Sequence, residues 1–235
     1  MRRYPGWRRA ASRWMSIAAA GLLIVTLADA LLGEAKADSF TCPRYGVQVI
    51  ASDPADARDA CSGAAASLDF LGALGLQPAR PIVVEVVPEL PEEAGPTAAG
   101  CYLADGNRVL IVPYRRFLAW QTWFGVPIDH RLYRSLAAHE VAHAVVASHF
   151  MMAKPTIQAQ EYLAYVVTFA TMPAELLDQV LEALPGEGFA GEERITELYY
   201  LFHPMHFGAQ AYRHYLRPGN GVAFFYEVLA GNALR

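Results

Sequence analysis

The amino-acid sequence predicts an α+β fold, and three observations carry that prediction. Apolar runs of strand length, rich in Val and Ile and bounded by Gly and Pro, fall within residues 46–112. From residue 114 onward the apolar positions recur at helical spacing between prolines. Strands first and helices afterwards is the layout of a small twisted sheet packed on a helical part.

The first segment falls outside that domain. Arg2, Arg3, Arg8, Arg9 and Arg13 precede an uncharged, mostly apolar run from Met15 to Ala28, and Ala35-Lys36-Ala37 follows as a small-x-small site. This is the pattern of a secretory signal peptide over residues 1–37 and predicts a periplasmic or secreted protein. The apolar run falls short of the roughly 20 residues of a membrane span. An uncleaved signal anchor is the alternative, and it would be the one route to a membrane. Residues 38–235 then make one domain of 198 residues, long enough for a sizeable core. Removing six Lys/Arg and two Asp/Glu with residues 1–37 shifts the formal net charge from −4 to −8. An acidic domain without a basic patch is a poor nucleic-acid binder.

Gly46 to Ala51 reads as a short strand. Ser52 or Asp53 can cap the next helix, with Pro54 in its first turn and Gly75 ending it after Leu74. Residues 81–88, with Ile82-Val83-Val84-Glu85-Val86-Val87 between two prolines, read as a strand, and Pro88 to Pro96 as an acidic loop. Gly100–Leu103 and Arg108–Val112 form a hairpin about Asp105-Gly106-Asn107. Arg108–Val112 is a candidate edge strand that could hold an extended peptide by β-augmentation, or equally an ordinary buried hairpin strand. Tyr114 to Phe124 is a short aromatic helix or loop. A long helix follows from Asp129 to about Met151. Pro155 opens the next helix, Pro173 closes it and opens another to about Leu184, and helices at Pro204–Leu216 and Gly221–Leu229 complete the chain.

Three cysteines remain, Cys42, Cys61 and Cys101. An exported protein meets oxidants, so one disulfide is expected. Cys42–Cys61 is the preferred pair because it ties the start of the domain to its first helix; the other two pairings stay open. The leftover cysteine reads as a small buried hydrophobe.

The chemistry concentrates in His139-Glu140-Val141-Ala142-His143, an H-E-x-x-H motif inside the long helix. Residues four apart on a helix lie on one face, so both imidazoles can reach one metal ion. Glu140 is then placed to act on a water as general base. The flanks are apolar almost all round, so the helix is expected to be buried. Buried polar groups left unpaired cost about 1–3 kcal/mol each, which a metal would relieve. The plain alternative is a packed helix that happens to carry these residues.

Two residues compete as third ligand. Glu161 is the lone carboxylate between Glu140 and Glu175, in an apolar helical pattern with no Lys or Arg between Lys154 and Arg194. His149 completes the metzincin spacing, but Val146 stands where that pattern needs a Gly to break the helix, and a positive φ disfavours a β-branched residue. On a continuing helix His149 lies about 240° round from His143. Glu161 is therefore favoured.

With Glu161 in place, residues His130 to Thr171 resemble the gluzincin class of zinc metallopeptidases, including Gln160-Glu161-Tyr162-Leu163-Ala164-Tyr165, which looks like the glutamate-helix motif of that class. The resemblance implies a zincin-like domain, one Zn²⁺ held by His139, His143 and Glu161, Glu140 as general base, and a peptide or protein substrate. Some members carry an Asp four residues after the Glu ligand to orient the first His; Tyr165 stands there in this chain. The substrate-recognition motif of the aminopeptidase branch is missing. The class also supplies a Tyr or His from its C-terminal part as a donor to the developing oxyanion. Here the candidates are His203, His206, Tyr199 and Tyr212, each of which can equally be a packed aromatic or hydrogen-bonded His. The expected function is an exported zinc-dependent hydrolase, with a peptidase the foremost reading. The rivals are an exported protein with a closed, structural or vestigial zinc site, in which His149, His203 or His206 would be a fourth ligand, and a signal-anchored protein that binds a partner helix.

Overall fold

The computed structural model of the protein describes residues 37–235. Residues 1–37, expected to be a signal peptide, lie outside the described residues apart from Ala37. The domain is α+β: a five-stranded mixed sheet, a two-stranded ribbon and a set of helices. Among the described residues no helix is long and apolar enough to cross a membrane.

The sheet runs in the order β1-β2-β3-β5-β4, with β1 Asp38–Thr41, β2 Gln48–Ala51, β3 Val83–Val86, β4 Gly100–Leu103 and β5 Arg108–Ile111. β2, β3 and β5 are parallel, and β1 and β4 flank them antiparallel. Val49, Val84 and Val109 bring the three inner strands into the core at 0% exposure, as expected of parallel strands covered by helices. β1 was not foreseen: of its four residues DSFT only the half-buried Phe40 is apolar, so they carry little apolar signal. Of the two readings of Arg108–Val112, the structure has the inner hairpin strand and not the edge strand. β5 is an inner strand, because its two edges pair with β3 and β4, and β4 forms the free edge.

Helix α1, Pro54–Ala73, connects β2 to β3. The Asp53 carboxylate accepts from Ala55 N at 2.8 Å, and Pro54 sits in the first turn. At the other end Leu76 N donates to Leu71 O and Gly75 N to Gly72 O, a closure that uses the positive φ of Gly75. Cys42 and Cys61 form the expected disulfide and fasten the segment after β1 to this helix.

The segment after β5 splits into α2, Tyr114–Leu118, and the ribbon β6 Thr122–Trp123 with β7 Val126–Pro127. Helix α3, His130–Val146, opens under an Asp129 cap that accepts from Arg131 N and Leu132 N. It ends five residues short of Met151. Ser148 turns both its N–H and its hydroxyl onto Val145 O, and His149 N closes onto Val146 O. α4, Ile157–Ala170, is capped by the Thr156 hydroxyl, and α5, Ala174–Ala183, starts after Pro173. A short helix α6, Glu197–Phe202, was not foreseen; α7, Pro204–Tyr215, and α8, Gly221–Ala230, match expectation to within a residue. α1 lies along α3, α3 along α4, and α4 against α7, so the middle of α3 is enclosed by α1, α4 and β4.

Candidate metal centre

α3 turns His139, Glu140 and His143 toward a cavity of about 740 Å³ under β4. α4 crosses beside it and delivers Glu161. The donor groups converge: His139 Nε2 lies 3.2 Å from His143 Nε2 and 3.5 Å from one Glu161 oxygen, Oε2, while His143 Nε2 lies 3.4 Å from the other, Oε1, and one donor atom from each residue can be chosen within 4.8 Å of the rest. Ligand atoms about 2.0–2.1 Å from a tetrahedral zinc are about 3.3 Å apart, close to the individual imidazole–imidazole and imidazole–carboxylate separations found here. The three residues could therefore hold a metal ion, and among the described residues no fourth His, Cys, Asp or Glu joins them.

Two further features fit a cation. Glu161 Oε2 is buried and makes no hydrogen bond; its 3.5 Å approach to His139 is ion-pair contact only. Its ion-pair partners among the described residues are the two imidazoles, with no Lys or Arg. Burial alone would raise the Glu161 carboxyl, but His143 and His139 hold it well below the usual carboxylate range. Burial likewise pulls the His143 imidazole down, and the facing Glu161 carboxylate more than reverses this. The second feature is the proton on His139. Thr168 donates its hydroxyl to Ala164 O at 2.7 Å, so at the 3.0 Å contact with His139 Nδ1 the hydroxyl must accept. The proton then sits on Nδ1, and Nε2 presents a bare lone pair to the centre. Thr168 thus orients the His139 ring from a position seven after Glu161, whereas the position four after it is the aromatic Tyr165. A spacing of seven also returns to the same helix face, but a lone Thr in an apolar helix gives no signal of that role.

Glu140 is buried at 6% exposure, and burial raises its carboxyl above the usual range while the two imidazoles pull the other way. β4 passes directly over it: a Cβ on Gly100 would stand 2.7 Å from Glu140 Oε1 and 2.6 Å from its Cγ. Gly100 is a close-approach glycine in the strand. Cys101, the free cysteine, also lines the cavity, and its thiol is pushed up to about 11 by burial and the Glu140 charge.

The remaining site candidates are placed elsewhere. His149 binds Gln77 O at 2.8 Å and is not among the converging donors. Tyr199 packs on Phe189 and His203, Tyr212 stacks on Phe169, and His203 and His206 are exposed. None of these four lines the cavity, whereas Tyr165 and Tyr200 do. α6 is the reason: successive helix positions turn by 100°, so when Tyr199 faces Phe189 its neighbour Tyr200 faces the cavity. Burial, with the Glu161 and Glu140 charges, raises the Tyr200 hydroxyl far above its ordinary value and keeps it a donor. The Tyr165 ring lies 4.7 Å from that of His139 and rests on Gly208, where a Cβ would come within 2.5 Å of it.

No curated protein and no solved structure matches the chain. A family model does match, over residues 47–235, a span that includes every residue of the site. The chain belongs to that family, DUF6639, described as a family of unknown function.

Proposed function

We propose that the protein is an exported zinc-dependent hydrolase acting on peptide bonds, with a zincin-like arrangement of a small sheet over the metal helix. The observation that carries this reading is the convergence of His139, His143 and Glu161, whose imidazole and carboxylate groups approach one another to 3.2–3.5 Å, with the Glu140 carboxyl beside them under strand β4. Two His and one Glu are the donor set of a catalytic rather than a structural zinc, since structural sites close with four protein ligands. A zinc ion held there would polarise a carbonyl and acidify a water molecule.

The chain's own residues would do the rest. Glu140 takes a proton from water in the cavity and passes it to the leaving amine. Tyr200 donates to the carbonyl oxygen as negative charge develops, the role for which the sequence offers His203, His206, Tyr199 and Tyr212. Thr168, through Nδ1 of His139, holds that ring's lone pair on the centre. β4 receives the substrate backbone. Val112 N donates to Ala99 O, so by antiparallel alternation Gly100 and Tyr102 turn their N–H and C=O groups to the free edge. An extended peptide could add there as a further strand. The Cys42–Cys61 disulfide supports export to an oxidising compartment.

The test is Glu140→Gln. It should keep its metal and lose peptide hydrolysis by about 10²–10⁴-fold. Full activity of this variant on a substrate cleaved by the wild type would refute the mechanism.

A further inference from the structure

The cavity wall has a chemical bias that bears on what enters it. Its carboxylate and imidazole groups are His139, His143, Glu140 and Glu161, all gathered at the centre, and among the described residues no Lys or Arg lines it. Its remaining side chains are uncharged, among them the polar Gln160 and Thr122 and the large groups of Trp123, Tyr165, Tyr200 and Met205. These are braced groups. Trp123 packs edge-on against Phe117 at 5.3 Å, Met205 Sδ accepts from Phe124 N at 3.3 Å, and Tyr165 lies against both His139 and Phe124. The apolar wall beside the first imidazole is thus preformed rather than assembled around a ligand.

An enzyme that removes terminal residues must hold a terminal charge next to the scissile bond. A substrate carboxylate would need a cation, and the wall provides none. A substrate ammonium would need a carboxylate, and both carboxylates are at the reacting centre. An uncompensated charge taken into such a wall costs far more than a neutral group. A backbone that runs on in both directions meets no such penalty, and the outward groups of Gly100 and Tyr102 suit an extended chain.

We infer that the cleft takes an uncharged stretch from the interior of a polypeptide, with a large aliphatic or aromatic side chain seated against Trp123, Met205 and Tyr165, and that it acts within chains rather than at their ends. This rests on the hydrolase reading for its chemistry but makes a separate claim about binding.

The two claims are separated by measuring binding and cleavage in parallel. Binding is followed by tryptophan fluorescence of the Glu140→Gln protein with zinc chloride present. The probes are an acetylated and amidated octapeptide centred on Phe-Leu, the same peptide with Asp or with Lys in place of that Phe, and the free-ended dipeptide Phe-Leu. The capped apolar peptide should bind at least about tenfold more tightly than each of the others. Equal or tighter binding of any charged or free-ended probe overturns the inference, as does no saturable signal from the capped peptide. Wild-type protein is assayed for cleavage of the same four. Binding of the capped peptide without cleavage removes the hydrolase reading and leaves the cleft assignment standing. Equal cleavage of the charged or free-ended probes does the reverse.

Discussion

Two small residues set the geometry of the centre. Thr168 spends its hydroxyl proton on Ala164 O and can serve His139 only as an acceptor. Thr168→Val keeps the shape and removes that acceptor, leaving the ring free to turn. Metal affinity, measured by competition with a chromophoric chelator, is expected to fall about 10–100-fold, with thermal unfolding of the metal-free protein little changed. Gly100 acts by lacking a side chain. A methyl group there would occupy the space of the Glu140 carboxylate, so Gly100→Ala should retain metal and lose most hydrolysis. Normal hydrolysis by this variant would show that Glu140 has room to move without consequence. His139, Glu140 and His143 were legible because a spacing of one helical turn is a property of the chain itself. Thr168, Tyr200 and Gly100 were not, since each owes its role to a neighbour from another element.

Among the elements, the α1–α3 pair bears most on the centre. Gly63 lets the two helices touch: a Cβ there would stand 2.2 Å from Arg134 O and 2.8 Å from Ala137 Cβ. The buried Asp59 of α1 accepts from His130 and Arg134 of α3 at 2.6 and 2.7 Å. Gly63→Ala should therefore push α3 away and cost about 1–3 kcal/mol or more in denaturant unfolding. Loss of the Cys42–Cys61 bond, which closes a separation of 19 residues, is expected to cost about 3 kcal/mol in the same assay. Helix starts were readable where Asp53, Asp129 and Pro204 announce them. The end of α3 was not, because Ser148 stops it through a local hydroxyl bond rather than through Gly or Pro. The position of Arg108–Val112 in the sheet stayed open in the sequence for a different reason. A hairpin pattern shows which strands pair but not which of them meets β3, and that is decided by packing across the sheet.

For the whole molecule, the α+β layout followed from the separation of strand runs and helical runs along the chain, and the separate strand β1 escaped because its pairing with β2 needs few apolar residues. The fold brings two neighbouring helices close enough for two imidazoles and one carboxylate to approach within 3.2–3.5 Å, and the proposed chemistry depends on that convergence. The most direct measurement is the metal content and zinc affinity of the protein beside its Glu161→Ala and His149→Ala variants. The wild type and His149→Ala should each carry one zinc ion per chain, and Glu161→Ala should lose it or bind it at least about tenfold more weakly. Wild-type protein that takes up no zinc, or a Glu161→Ala variant that holds it as tightly as the wild type, would contradict the account.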